Sequence, residues 1–472
     1  MKPFRPSPGF LARTVTAVAS ATLFLAAHAA SPDFTKAHAD LVPLLEGFIR
    51  VDTSNPPGNE SAGAKYLQAY FATNGIPSEI YEKEAGRGNL VARLKGSGKK
   101  KPLMLMGHTD VVGVERDKWT VPPFEGLIKD GFLYGRGASD DKAMTAACAQ
   151  MLVLLKQSGI TLDRDVIFMA NAGEEGTTHV GIDFMVKEHW DKIACEFAIN
   201  EGGMLRERDG KIHYVGIATG EKVPRPGILY AKGTGGHGSR PLADNAVVHL
   251  ADAVAKLGKW QAPMKLNDTT RLFMKRLAAI SPADEAFLYS HIEDPALGAM
   301  VQEKLRVSKP NINSMLRTSL APTMMKGGYR INVIPGDANA QVDIRLLPDE
   351  DFAAFEAQVR KVIDNPRVEF LLSDGSLQPS PPSPVDSELF KAFENQQAKM
   401  FPGSTTLPMM LTGATDSAQL RAKGVHAYGI GTVISEEDSL KIHGHDERIP
   451  VAGLKTFLEY LHAVVIDVAS AK

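Results

Sequence analysis

LMLMGHTDVV, residues 103–112, is the stretch that decides the fold. Four consecutive apolar residues run into a glycine, a histidine and an aspartate. Short, continuously apolar runs suit strands buried on both faces, as in a parallel sheet. The same grammar recurs in VIFMANAGEEG (166–176) and FAINEGG (197–203), each ending in acidic residues. The helical pattern DKAMTAACAQMLVLLKQSG (141–159) lies between the first two. Strand runs alternating with amphipathic helices predict an α/β fold with a mostly parallel sheet covered by helices. In such sheets binding sites gather beyond the carboxyl ends of the strands. His108, Glu174, Glu175 and Glu201 all stand there.

Two further segments complete a pattern: GRGASDDKA (135–143), with Asp140, and KIHGHDERIP (441–450), with His443. Together the five segments offer imidazoles and carboxylates and no thiolate, a donor set suited to divalent metal ions. His108 and Asp110 are one residue apart, so on an extended strand end both point the same way. A carboxylate so placed can hold the tautomer of a metal-bound imidazole. Glu174 and Glu175 are adjacent and on extended backbone face opposite ways. One can therefore bind metal while the other moves protons. Alone, HTD is a solvated loop in most proteins, and an aspartate pair before a helix is an N-cap. Five segments in order make the joint reading a dinuclear hydrolase.

The 472 residues suffice for more than one core, and the formal charge of −2 is spread without a basic stripe. Nucleic-acid binding is therefore not expected. Residues 1–29 have a secretory pattern: Lys2, Arg5 and Arg13, an alanine-rich apolar run, then Ala27-His28-Ala29. The run is shorter than the ~20 residues of a membrane span. Export is expected, to a bacterial periplasm or outside the cell, with no membrane contact after signal removal. The cysteines are Cys148 and Cys195, read as free thiols.

A catalytic domain is expected in two parts, residues 30–221 and 377–472. Residues 222–376 change pattern. ILYAKGTGG (228–236), DNAVVHLADAVAKLGKW (244–260), INVIPGDANAQVDIRLLP (331–348), DFAAFEAQVRKVID (351–364) and RVEFLLSDG (367–375) read β-α-β-β-α-β. In this reading residues 331–348 form a hairpin, and residues 264–310 are a mostly helical, polar insertion. SLQPSPPSP (376–384) is a proline-rich return to the main domain.

These motifs resemble the dinuclear zinc exopeptidases and amidohydrolases that include aminoacylase, carboxypeptidase G, carboxypeptidase S, carnosinase and succinyl-diaminopimelate desuccinylase. The resemblance spans Phe48 to Val464. It implies a zinc-exopeptidase catalytic domain with an inserted ferredoxin-like lid or dimerisation domain, and a possible homodimer through that lid. It implies two divalent ions, zinc or else cobalt or manganese, held by His108, Asp140, Glu175, Glu201 and His443. Asp140 would bridge them beside a bridging hydroxide, Asp110 would orient His108, and Glu174 would be the general base. GTGGHGSRP (233–241) implies that His237 polarises the scissile carbonyl, in some relatives that of a neighbouring subunit. Residues 331–348 imply a carboxylate grip by Asn332 and Arg345, and LTGATDSAQL (411–420) places Thr415 at the substrate pocket. The family's arginine soon after that last motif is displaced here to Arg421. Glutamate at 201, followed by glycines, looks like the carboxypeptidase S and desuccinylase relatives, and the insertion at 264–310 like the carboxypeptidase S branch. The expected substrate is a small peptide or N-acyl amino acid whose scissile amide adjoins a free carboxylate. A G-x-S-x-G elbow, the mark of a serine hydrolase, is absent from the sequence. The remaining alternative is a non-catalytic binding protein, but every catalytic position carries a competent residue.

Overall fold

The computed structural model describes Met1, residues 32–373 and residues 379–471. The signal-peptide reading and the first residues of the proline-rich return lie outside the described residues. A ten-stranded mixed sheet forms the centre. Its middle four strands, Val166–Asn171, Leu103–His108, Phe197–Asn200 and His426–Gly429, are mutually parallel neighbours. Side chains alternate across these strands, and the burial follows. Leu103, Leu105 and Phe168 enter one core with the helices Phe34–Ile49, Lys142–Ser158 and Val451–Ala469. Met104, Met106, Ile167 and Met169 enter the other with the short helix Ile182–Glu188. Burial on both faces explains why these runs are apolar at every position.

A second sheet takes strands in the order Ser319–Gly327, Asp337–Leu346, Gly227–Lys232 and Val368–Leu372, all antiparallel. Helices Ala246–Lys259 and Phe352–Ile363 contribute Leu250, Leu257, Phe355 and Val359 to its core. The chain order is β-α-β-β-α-β. The hairpin differs from expectation, because Asp337–Leu346 pairs with Ser319–Gly327 rather than with INVIP. Pro335 lacks an N–H and Gly336 follows it, so the ladder cannot run on through them. Only Val333–Ile334 is strand, paired with Gly236–His237.

The stretch expected to be a polar insertion is a small helical unit with its own core. Helices Asp268–Ile280, Ala283–Ser290, Gly298–Ser308 and Pro310–Met315 enclose Phe273, Leu288, Val301 and Leu305. These pack with Leu407 and Met410 of the strand Thr405–Leu411, so the unit rests on the main sheet. Its apolar residues are helically spaced among charges, which made it look polar. Cys148 and Cys195 are free.

Candidate metal centre

Strand register assembles the site. His108 closes its strand opposite Asn171, and Asn200 pairs with Gly429, so several parallel strands end along one edge. Glu201 follows Asn200 directly. Gly107 is needed just before His108, because a Cβ there would lie 2.4 Å from the Asp141 carboxylate and the Thr145 hydroxyl. That close approach brings the start of the helix Lys142–Ser158, and Asp140 before it, against the strand end. Asp141 occupies the N-cap position without a capping hydrogen bond from its side chain. The Asp140–Asp141 peptide is cis.

Five side chains converge in two triads. Donor atoms of His108, Asp140 and Glu201 lie within 4.8 Å of one another, and so do those of Asp140, Glu175 and His443. Asp140 is common to both. Its Oδ1 is 2.9 Å from His108 Nε2 and its Oδ2 is 3.0 Å from His443 Nε2. Glu175 Oε1 is 3.1 Å from the same His443 nitrogen. Glu174 belongs to neither triad. The pair sits in a turn after the strand Val166–Asn171 rather than on extended backbone. A cavity of about 640 Å³ is lined by Asp140, Glu174, Glu175, Glu201 and His443.

Burial and crowding shape the electrostatics of this cluster, and hydrogen bonds from His108 and His443 hold the Asp140 carboxyl below its usual range. Burial, then Asp140, pushes the Glu201 carboxyl up to about 8. Burial and Glu201 push Glu174 well above the carboxylate range. Hydrogen bonds to Asp140 and Glu175 raise His443 to about 10. Crowded buried carboxylates hold on to protons unless positive charge is supplied. A divalent cation in each triad would supply it, and the mixed oxygen and nitrogen donors fit such ions.

Asp110 stands beside His108 and also holds a neighbouring turn. The nearest acceptor to His108 Nδ1 is the Asp110 main-chain oxygen, at 3.0 Å, while its carboxylate stands 3.6 Å away. The carboxylate also accepts from the Glu174 and Glu175 amides, at 3.1 and 3.0 Å, and from Asn55 Nδ2 at 2.8 Å. The turn at 174–175 bends back over the strand end, which brings those amides within reach. Asp110 thus fixes the imidazole with its backbone and the glutamate turn with its side chain.

The substrate residues divide. Arg345 and Thr415 line the same cavity as the carboxylates. Arg345 donates from Nε and Nη2 to Asp343, at 2.8 and 3.2 Å, and is about one-third exposed. Thr415 donates to Glu221 at 2.8 Å, and Glu221 is paired with buried Arg421 at 3.2 Å. Arg421 therefore supports the Thr415 loop from beneath. His237 and Asn332 are exposed and line no part of that cavity. A separate two-stranded ladder sets His237 opposite Val333, the residue after Asn332. His179 and His445 are surface residues beside Glu84 and Glu115.

Glu447 and Arg136 were not singled out in the sequence. The fully buried Glu447 carboxylate accepts from the amides of Gly137, Ser139 and Asp140, at 3.2, 2.7 and 3.1 Å, and from Arg136 at 2.6 Å. Arg136 also donates to the His443 and Gly444 carbonyls, at 3.3 and 2.9 Å. One buried ion pair thus ties the Asp140 loop to the His443 loop. Both residues lie inside quoted motifs, but nothing local signals a pairing across some three hundred positions.

The family model of Peptidase family M20/M25/M40 matches residues 104–467. The chain belongs to this family. Family M20 membership makes it an enzyme of the metallopeptidase and amidohydrolase class and does not favour the non-catalytic reading. It is 28% identical over 376 residues to "Probable carboxypeptidase S-like 2" of Dictyostelium discoideum, covering 77% of this chain and 71% of that one. It is 28% identical over 440 residues to the human "N-fatty-acyl-amino acid synthase/hydrolase PM20D1", covering 89% and 86%. The M20 family metallo-carboxypeptidase Sso-CP2 from Sulfolobus solfataricus superposes with a TM-score of 0.68 at 19% identity, covering 92% and 99%. That likeness shows the fold.

Proposed function

We propose that this M20 enzyme hydrolyses an amide bond beside a free carboxylate and releases an amino acid. One observation carries the reading: two metal-competent triads sharing Asp140 open into the cavity that also holds Arg345. His108, Asp140 and Glu201 would hold one divalent ion, and Asp140, Glu175 and His443 the other. Zinc suits both sets, and cobalt or manganese can substitute. When bound, such ions polarise an amide carbonyl and make water acidic. Glu174 faces the cavity outside both triads and is assigned the proton from the attacking water. It then delivers that proton to the leaving nitrogen. Its raised proton affinity suits a group that must take up and hold a proton.

Arg345 would bind the carboxylate of the departing amino acid, exchanging Asp343 for the substrate. A guanidinium fork matches a carboxylate with two parallel hydrogen bonds. The names of the two relatives, a carboxypeptidase S-like protein and an N-fatty-acyl-amino acid hydrolase, support substrates of this outline. Because His237 and Asn332 stand away from the cavity, they are assigned to the site of a second copy in a homodimer. We assign residues 1–29 to an export signal, to be checked by the N-terminus of the mature secreted protein.

The deciding experiment compares an N-acyl amino acid with its amide, in wild type and in Arg345→Ala. The variant is expected to lose about thirty- to a thousandfold in kcat/KM on the acid and little on the amide. Equal losses on both forms would remove Arg345 from carboxylate recognition. Mixing Glu174→Ala with His237→Ala is expected to restore activity by subunit exchange. Without restoration, the second-copy role of His237 fails.

A further inference from the structure

The short helix Ser417–Ala422 begins two residues after Thr415 and is tied to the ends of two central strands. Asn171 closes the strand Val166–Asn171, and Asn200 closes Phe197–Asn200, which runs into Glu201. Asn200 Nδ2 donates to Ser417 Oγ at 3.0 Å, and Asn171 Nδ2 donates to Asp416 Oδ2. Asp416 itself lines no part of the main cavity, but the preceding residue, Thr415, does.

The contact between Asn171 and Asp416 is half made. Both side chains are buried, yet among the described residues neither Asn171 Oδ1 nor Asp416 Oδ1 has a hydrogen-bond partner. An ionised carboxylate can only accept, so it would leave both oxygens unpaired in the interior, a costly arrangement. One proton answers both: a carboxylic acid donates from Oδ1 to the amide oxygen while Oδ2 accepts from the amide nitrogen. The surroundings also oppose a negative charge. Burial, countered by His108 and reinforced by Asp110, Glu201 and Asp183, pushes the Asp416 carboxyl well above the carboxylate range. Glu174 adds its repulsion from the glutamate turn. On the same helix Arg421 pairs with Glu221, and just beyond it Lys423 lies over the Trp190 ring. His426 of the adjoining strand packs on Phe197, and Lys187 and Glu188 of the facing helix are exposed.

We propose that Asp416 is a neutral carboxylic acid that closes a two-hydrogen-bond ring with the Asn171 carboxamide and so locks the Thr415 loop to the strand ends. Asp416 is thus a positioning residue, acting through Thr415, which Glu221 holds from the other side. The effect on catalysis rests on the reading of the main cavity as the amide-binding site, whereas the proton does not depend on it.

The test compares wild type, Asp416→Asn and Asp416→Ala as metal-loaded full chains. An amide at 416 supplies the same donor and acceptor, so Asp416→Asn should fold and keep kcat/KM within about threefold. Asp416→Ala leaves Asn171 unpaired and should raise KM about five- to a hundredfold. Equal loss in both variants, an unfolded Asp416→Asn, or an unchanged KM in Asp416→Ala overturns the proposal. Two readouts follow the proton directly. The infrared spectrum of wild type at pH 7 should contain a protonated-carboxyl C=O stretch that Asp416→Asn lacks. Between about pH 5 and 7 the unfolded chain has Asp416 ionised while the folded chain keeps its proton. Wild type should therefore lose stability relative to Asp416→Asn as pH rises, about tenfold per pH unit in the unfolding constant. No band difference, or parallel stability curves, overturns the neutral carboxyl. If the band and the slope are found but no N-acyl amino acid or peptide is hydrolysed, the proton stands and the functional reading alone fails.

Discussion

The carboxylate cluster and the face bearing His237 and Asn332 are built on opposite principles. In the cluster each side chain stands at the end of a buried strand or on a loop tied to one, and its partners come from distant parts of the chain. Asp110, Asn55 and the 174–175 amides form one knot, and Glu447, Arg136 and the carbonyls of His443 and Gly444 form another. At the two-stranded ladder His237 bonds Ser239 two residues away, and both it and Asn332 are exposed. Residues of equal chemical promise thus differ in whether this single chain assembles them. The cluster is preorganised by burial, and the outer face is left open.

Four measurements would break or sharpen that contrast, beginning with the largest effect. Glu174→Ala should lower turnover by about a hundred- to ten-thousandfold with metal content unchanged. A variant that loses metal instead would move Glu174 into the ligand set. Glu447→Ala removes the acceptor of three loop amides and strands Arg136 in the interior. It should cost about 3–5 kcal/mol of stability and weaken metal retention, read by denaturant melts and elemental analysis. Near-wild-type stability would show that the loops at Asp140 and His443 hold themselves.

The third concerns the junction of the two regions. Lys222 is buried, with Nζ donating to Ser319 Oγ at 2.7 Å and to the Ser314 carbonyl at 2.9 Å. Burial, then Arg345, lowers its ammonium to about 7. The unfolded chain keeps that proton up to about pH 10.5. Below pH 7 the lysine is charged in both states, and the whole cost of burying the charge applies. Between pH 7 and 10.5 the unfolded state binds more protons, so this group's contribution makes stability rise with pH. Buried Lys142, also lowered to about 7, contributes with the same sign. Lys222→Met should therefore reduce the rise without abolishing it, as measured by melts across that window. An unchanged slope would show that Lys222 titrates normally. Smallest of all, His237→Ala and Asn332→Ala should each shift folding stability by no more than about 0.5 kcal/mol, as exposed positions do. A larger loss would mean that the outer face is also held together internally.

How far the sequence could be read followed the reach of each signal. The strands Leu103–His108, Val166–Asn171 and Phe197–Asn200 were legible because burial on both faces leaves a run of apolar residues with no polar position. The pairing of Asp337–Leu346 was not. Val333 and Ile334 look like a strand continuing toward it, whereas the partner Ser319–Gly327 carries exposed Met324 and Met325 and has weak alternation. The helical unit at 268–315 looks polar in sequence because its apolar residues are spaced to meet one another and Leu407, not to form a run.

By itself the sequence determined the donor set: which side chains could bind metal, and that they follow strands whose ends share an edge. Those are local properties, carried by residue type and by hydrophobic period. Only the tertiary structure decided that Asp140 stands in both triads, that the Asp110 carboxylate holds the glutamate turn as well as facing the imidazole, and that Arg345 shares the cavity while His237 does not. Each of these depends on distances between segments far apart in the chain. Such distances are set by packing and by buried hydrogen bonds, and no residue pattern within a segment records them.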